Sequence, residues 1–232
     1  MGQFPYQVAI YDAGRNYKCS GTILSDQWVL TASGCFQQGV DVWAGEVEFR
    51  DNNIPHPKRQ IRTCAQLHTD GSVELCQMNQ AFTINAFVSS IGLMPENINP
   101  VKCTSASWLY HVQTRLFYIY LRWKNAEIRE FAYDQPAHPL DVVLNHQTFG
   151  EQGKQSPGAG LVCVDDNQRA AGHQNMKPIE VHRDVNRYLV GVNQMVVRVG
   201  DNGLNRYEIH DEPNFFSIRE NIQWIKNTAR LN

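Results

Sequence analysis

The stretch Cys19-Ser20-Gly21-Thr22-Ile23-Leu24-Ser25-Asp26-Gln27-Trp28-Val29-Leu30-Thr31-Ala32-Ser33-Gly34-Cys35 decides the fold. Residues 20–24 and 28–32 are short β-rich runs, and Ser25-Asp26 between them is a turn pair. Working outward, the same signal recurs. Residues 5–11 alternate, and residues 40–44, 73–78, 115–122, 140–144, 160–164 and 188–192 each read as a short strand. Short strands at close spacing, with no helices between them, predict a barrel or sandwich rather than a parallel α/β sheet. A single helix is predicted at the C-terminus. Ser217 with Glu220 three residues on forms a capping-box pattern, and Ile218, Ile222 and Ile225 fall on one helical face beside Trp224.

Composition narrows the function classes. The 232 residues are 42% apolar and 19% charged, enough for a sizeable core. Twenty-one basic against 23 acidic residues leave a net charge of −2, and no polybasic field argues for nucleic acid or anionic membrane. The basic group Lys58, Arg59 and Arg62 reads as solvated surface. No apolar run is long enough for a membrane-spanning helix, and residues 1–5 lack the pattern of a signal peptide. Loops are expected at residues 51–57, 95–100, 150–158 and 165–178. The eight histidines, His56, His68, His111, His138, His146, His173, His182 and His210, are scattered without ligand spacing, and no CxxC pair occurs, so neither a metal nor another cofactor is expected. The six cysteines are an even count, which favours disulfides in an oxidising compartment without choosing their pairing. No Asn-x-Ser/Thr sequon is present.

Read as whole words, these segments resemble a known family. Phe4-Pro5-Tyr6-Gln7-Val8 resembles the first strand of mature trypsin- and chymotrypsin-like serine proteases. Residues 19–24 resemble their CGGSLI strand, and residues 27–32 resemble WVLTAA, which in the family runs into the catalytic histidine and a cysteine. Residues 79–85 and 91–93 resemble the stretch after the catalytic aspartate. Cys103 with Ser107-Trp108 resembles CxxSGW, Gly160-Leu161-Val162-Cys163 resembles GGPLVC, and Trp224-Ile225 resembles the DWI of the terminal helix. The wording of the strands is similar to that of arthropod members. The resemblance implies two six-stranded antiparallel Greek-key barrels, divided as residues 1–100 and 101–232, with a C-terminal α-helix. It implies the disulfides Cys19–Cys35 and Cys103–Cys163. Cys64 and Cys76 have no counterpart and are left as an extra disulfide or two buried thiols.

The same resemblance implies lost chemistry. In this family a serine attacks the carbonyl, a histidine takes its proton, and an aspartate orients the histidine. The base position falls on Gly34, between the anchors Thr31-Ala32 and Cys35. The orienting position, counted back from Asn79, falls on Ser72, with Asp70 two residues earlier. The nucleophile position, six residues before Cys163, falls on Pro157, with Ser156 off by one. Proline has no backbone N–H for the oxyanion hole, and the glycine that supplies the second donor is replaced by Gln155. The acid that anchors a new N-terminal amine in active members is replaced by Ser156, so no ion pair of that kind is expected. The chain is therefore expected to be a secreted, non-catalytic serine protease homologue. It would bind an extracellular protein partner, such as a protease, complement or other immune component, as decoy, cofactor or regulator. Candidate surfaces are residues 152–158 and 165–184. The alternative is a hydrolase with a relocated site built among His138, His146, His173 and Ser156.

Overall fold

The computed structural model describes residues 4–37, 39–45, 58–95, 100–108, 110–111, 116–117, 122–128, 142–144, 154–155, 157–165, 187–193 and 215–231. Six strands, β1 (Gln7–Tyr11), β2 (Tyr17–Ile23), β3 (Trp28–Ala32), β4 (Asp41–Ala44), β5 (Gln60–Thr69) and β6 (Val73–Met78), close a barrel in the order β1-β2-β3-β6-β5-β4. All contacts between neighbouring barrel strands are antiparallel.

Strand β1 is buried along its whole length, Gln7 included, so both sides of its alternating pattern face packed interior. Val8 and Ile10 join the main core with Ile23, Leu30 and Leu75, while Ala9 and Tyr11 pack with Tyr17, Trp43 and Trp108. Trp108, from the second half, has 0% of its surface exposed. It meets Tyr17 edge-on, with ring centroids 6.4 Å apart. A side chain on Gly21 would reach into the packed interior, since its Cβ would come within 2.9 Å of Val8 and 3.0 Å of Val29.

Beyond the barrel, the chain first lays β7 (Gly92–Leu93) into the sheet of the second half. It continues through β8 (Pro100–Ser107), β9 (Tyr110–His111), β10 (Leu116–Phe117), β11 (Arg122–Ile128), β12 (Val142–Leu144), β13 (Lys154–Gln155), β14 (Gly160–Asp165), β15 (Arg187–Asn193) and β16 (Phe215–Ser217). These strands form a seven-stranded sheet along β12-β11-β8-β14-β15-β16, with β7 parallel to β15, and a three-stranded sheet β10-β9-β13. A closed second barrel is not present among the described residues.

Three expectations are revised. Of the single strand expected over residues 115–122, Leu116–Phe117 (β10) and Arg122, the start of β11, belong to different sheets, and residues 115 and 118–121 lie outside the described residues. The capping box does not form. Ser217 ends β16, makes no side-chain cap, and is followed by a 3-10 turn, Ile218–Asn221, before α1 (Ile222–Ala229). The helix still docks as its pattern predicts, through buried Ile222, Ile225 and Ala229, and it closes with Arg230 in the left-handed region. Within the basic group Lys58 is exposed as expected, while Arg59 and Arg62 are half-buried. Lys58 Nζ lies 3.6 Å from the centroid of the Phe87 ring, and the guanidinium of Arg59 lies 4.4 Å from the centroid of the Trp43 ring. Arg62 lies over Phe82 and donates to the carbonyls of Ala81 and Ile61.

The six cysteines pair as Cys19–Cys35, Cys64–Cys76 and Cys103–Cys163, closing sequence separations of 16, 12 and 60. Cys64–Cys76 joins β5 to β6 inside the barrel, which decides between the two readings left open for that pair. Among the described residues no helix is long and apolar enough to cross a membrane, and no cluster of His, Cys, Asp or Glu is placed to hold a metal ion.

Candidate functional site

The site lies where the turn after β3 meets the turn before β14. Residues 33–36 reverse the chain after β3, with the Cys35 N–H on the Ala32 carbonyl at 3.3 Å. Gly34 sits at the centre with φ +82°, and a Cβ placed there would meet nothing within 4 Å. Only glycine adopts this conformation without steric cost. The Ser33 N–H donates to the Ser72 carbonyl at 3.2 Å, so the base and orienting positions inferred from sequence do lie side by side.

A residue the sequence reading passed over dominates this corner. Glu74, on β6 opposite Thr31, is only 6% exposed. Its Oε1 accepts the Gly34 N–H and its Oε2 accepts the Phe36 N–H, each at 2.7 Å. These are short, charge-assisted bonds. The signal in the sequence was an acid inside the apolar run Val73-Glu74-Leu75-Cys76, since a buried carboxylate demands partners. Asp70 plays no comparable part. Its Oδ1 accepts the N–H groups of Ser72 and Val73, both at 2.9 Å, and so caps its own turn.

From the second half, Pro157 is buried, and its carbonyl accepts the Ser20 N–H at 2.9 Å. Gly158 has φ +77°, and a Cβ there would collide with the Ser20 carbonyl and Thr31 Oγ1. Its N–H donates to the Asn193 carbonyl, whose own N–H returns to Ala159, both at 2.8 Å. Thr31 Oγ1 donates to the Ser20 carbonyl at 2.6 Å. Ser20 is thus held on every side. Its Oγ lies 2.9 Å from the Tyr17 hydroxyl and 3.0 Å from Ser107 Oγ, a buried hydroxyl chain crossing between the halves. Burial pushes the Tyr17 hydroxyl pKa up to about 12, against the pull of the hydrogen bonds to Ser20 and Ser107. The disulfide Cys19–Cys35 ties Ser20's neighbour to the Gly34 turn, with Cα atoms 5.8 Å apart.

Ser72 thus meets the turn through Ser33, and Pro157 meets Ser20, whose neighbour Cys19 is bonded to Cys35. Gln155 lies on β13, paired with Tyr110 of β9. His68 is on β5, its ring 5.6 Å from that of Trp28, and His111 is on β9. Ser156, His56, His138, His146, His173, His182 and His210 lie outside the described residues, as does residue 166 to 184 of the loop expected as a binding surface.

A family model described as Trypsin matches residues 1–122. Trypsin-4 of Rattus norvegicus is 31% identical over 184 residues, covering 71% of this chain and 72% of that protein. Cationic trypsin-3 of the same species is 29% identical over 179 residues, covering 68% and 69%. Among solved structures, neuropsin, a serine protease expressed in the limbic system of mouse brain, superposes with a TM-score of 0.65. It is 17% identical and covers 99% of this chain and 96% of that one, a likeness of fold.

Proposed function

The chain belongs to the trypsin family, and from that premise we propose that it is a non-catalytic member that works by binding other proteins. The observation that carries this reading is the turn at residues 33–36. The family's base position falls on Gly34, which offers no group to accept a proton, and whose N–H is engaged by Glu74. A serine hydroxyl without an adjacent base is a poor nucleophile.

Pro157 supports the same reading. At the nucleophile position it has neither a hydroxyl nor an N–H, and losing one oxyanion donor alone costs on the order of 10²–10³ in rate. The orienting position, Ser72, offers its carbonyl to the turn instead of a carboxylate. The hydroxyls at the junction itself, Ser20 and Ser107, are both 0% exposed and out of reach of a substrate carbonyl.

The role proposed is that of a decoy, cofactor or regulator in extracellular proteolytic and immune processes, with a protease, complement or other immune component as partner. Three disulfides fit a secreted protein. The same proposal includes a second barrel completing the double-barrel unit, a division near residue 100, an arthropod source, and no bound cofactor. A rigid barrel presenting variable loops is a suitable platform for recognition.

The test is a fluorophosphonate probe applied to this protein beside an active relative. The proposal expects labelling of the relative only, and labelling of a serine in this chain refutes it. A pull-down from extracellular fluid then tests the binding role. Recovery of a specific protein, lost on exchanging residues 165–184, supports that role and locates its surface. Failure to recover any specific partner counts against it.

A further inference from the structure

We infer that Glu74 is a positioning residue that, with Gly34, has rebuilt the former base turn, so that position 34 is closed to a histidine by its backbone as well as by its side chain. The inference rests on reading Gly34 as the family's base position. It adds that the loss is conformational and has been fixed by a new contact.

A left-handed residue within a turn lets its own N–H and others just after it converge, forming a concavity that receives an anion. Gly34 is that residue, at φ +82°, and the converging donors are its own N–H and that of Phe36. A carboxylate matches the pair because each of its two oxygens takes one donor, and Glu74 does so at 2.7 Å on both sides. Glu74 comes from the strand partnered with β3, directly across from Thr31, so the clamp is anchored in the barrel wall.

The two residues depend on each other. An L-residue at position 34 either bears the cost of the left-handed region or turns back, which disperses the donors and leaves a buried carboxylate without them. Space does not forbid a side chain there, because nothing lies within 4 Å of the Cβ position. What excludes it is the backbone conformation, and Glu74 holds that conformation. The turn also carries Cys35, whose disulfide leads to Cys19, and Ser20 next to it binds the Pro157 carbonyl. The clamp therefore sets the geometry of the whole junction.

Amide hydrogen exchange on the disulfide-intact, 15N-labelled protein tests this. Glutamine keeps one acceptor and presents an NH2 to the second donor, so E74Q should speed exchange of the Gly34 and Phe36 amides at least tenfold while leaving most of the barrel unchanged. Unchanged protection of both amides in E74Q would overturn the inference. A second arm does not need E74Q to fold. G34H and G34A should each shift the folding equilibrium toward the unfolded state by about 5–30-fold, the effect of one left-handed L-residue. Either variant folding with wild-type stability and both amides still protected would overturn it equally. Neither arm reads catalysis, so fluorophosphonate labelling of the wild type would sink the non-catalytic reading while leaving the clamp to be judged by exchange alone.

Discussion

Replacing Gly158 by alanine is the sharpest perturbation the junction allows. The residue has φ +77°, which an L side chain adopts at a cost of about 1–2 kcal/mol. The new methyl would also collide with the Ser20 carbonyl and Thr31 Oγ1, which are hydrogen-bonded to each other at 2.6 Å. Separating them forfeits about 1 kcal/mol more. The sum is about 2.5 kcal/mol, and at roughly 2–4 °C per kcal/mol for a chain of this size the melting temperature should fall about 5–10 °C. G34A is the built-in control, because φ at position 34 is +82°, within 5° of that at position 158, while a Cβ there meets nothing within 4 Å. It should show the conformational cost alone, about 3–6 °C. Thermal unfolding of both variants with disulfides intact decides the matter. Equal losses would refute the collision, and a Gly158 variant within about 0.5 kcal/mol of wild type would refute the whole account of the junction.

Other outcomes follow from the same structure. Burial raises the hydroxyl pKa of both Tyr6 and Tyr17 to about 12 from 10.0, so above pH 10 the unfolded chain releases protons that the native state retains. Stability should be level below pH 10 and fall between pH 10 and 12 by about 1.4 kcal/mol per pH unit per tyrosine. Urea titrations across that range should show a shallower fall in Y17F. On chain entropy, removing Cys103–Cys163, with its separation of 60, should cost about 4 kcal/mol, and removing Cys64–Cys76, with its separation of 12, about 3 kcal/mol. Paired serine variants compared by denaturation test that order, and the reverse order would point to structure retained in the unfolded chain. Ile225, fully buried on α1, should cost about 2–5 kcal/mol when replaced by alanine, and a smaller loss would mean that the helix is only lightly docked.

Much of the first half was legible because its strands write their own boundaries. Residues 73–78 were read as the strand they form, since Val73, Leu75, Cys76 and Met78 are all buried. Strand β5 was missed because its pattern is largely polar: of its ten residues only Cys64 is fully buried. Strand β11, Arg-Trp-Lys-Asn-Ala-Glu-Ile, carries the same kind of polar sequence. At the C-terminus the capping box was a local signal overridden by tertiary pairing, because Ser217 is taken by the β16–β15 ladder opposite Gly191. At the site, the family resemblance is what assigned the base, orienting and nucleophile positions to Gly34, Ser72 and Pro157. It could not reveal Glu74, whose partners are backbone N–H groups forty and thirty-eight residues away, identical in every residue type. Nor could it reveal that Ser20, an unremarked member of the opening stretch, joins the two halves through its N–H and its hydroxyl.

The placement of the disulfides has a further consequence for how the molecule could be built. Cys19–Cys35 and Cys64–Cys76 lie wholly before residue 95, and Cys103–Cys163 wholly after residue 100. Each half thus carries its own covalent bracing, and only the main chain links one to the other. Yet β7 lies alongside β15, Trp108 is packed against Tyr17, and Ser20 is bound to Pro157. A gene divided between residues 95 and 100 would give two separately oxidised fragments whose shared surfaces are already complementary. Their reassembly on mixing would turn the protein into a two-piece reporter, in which the junction itself supplies the affinity.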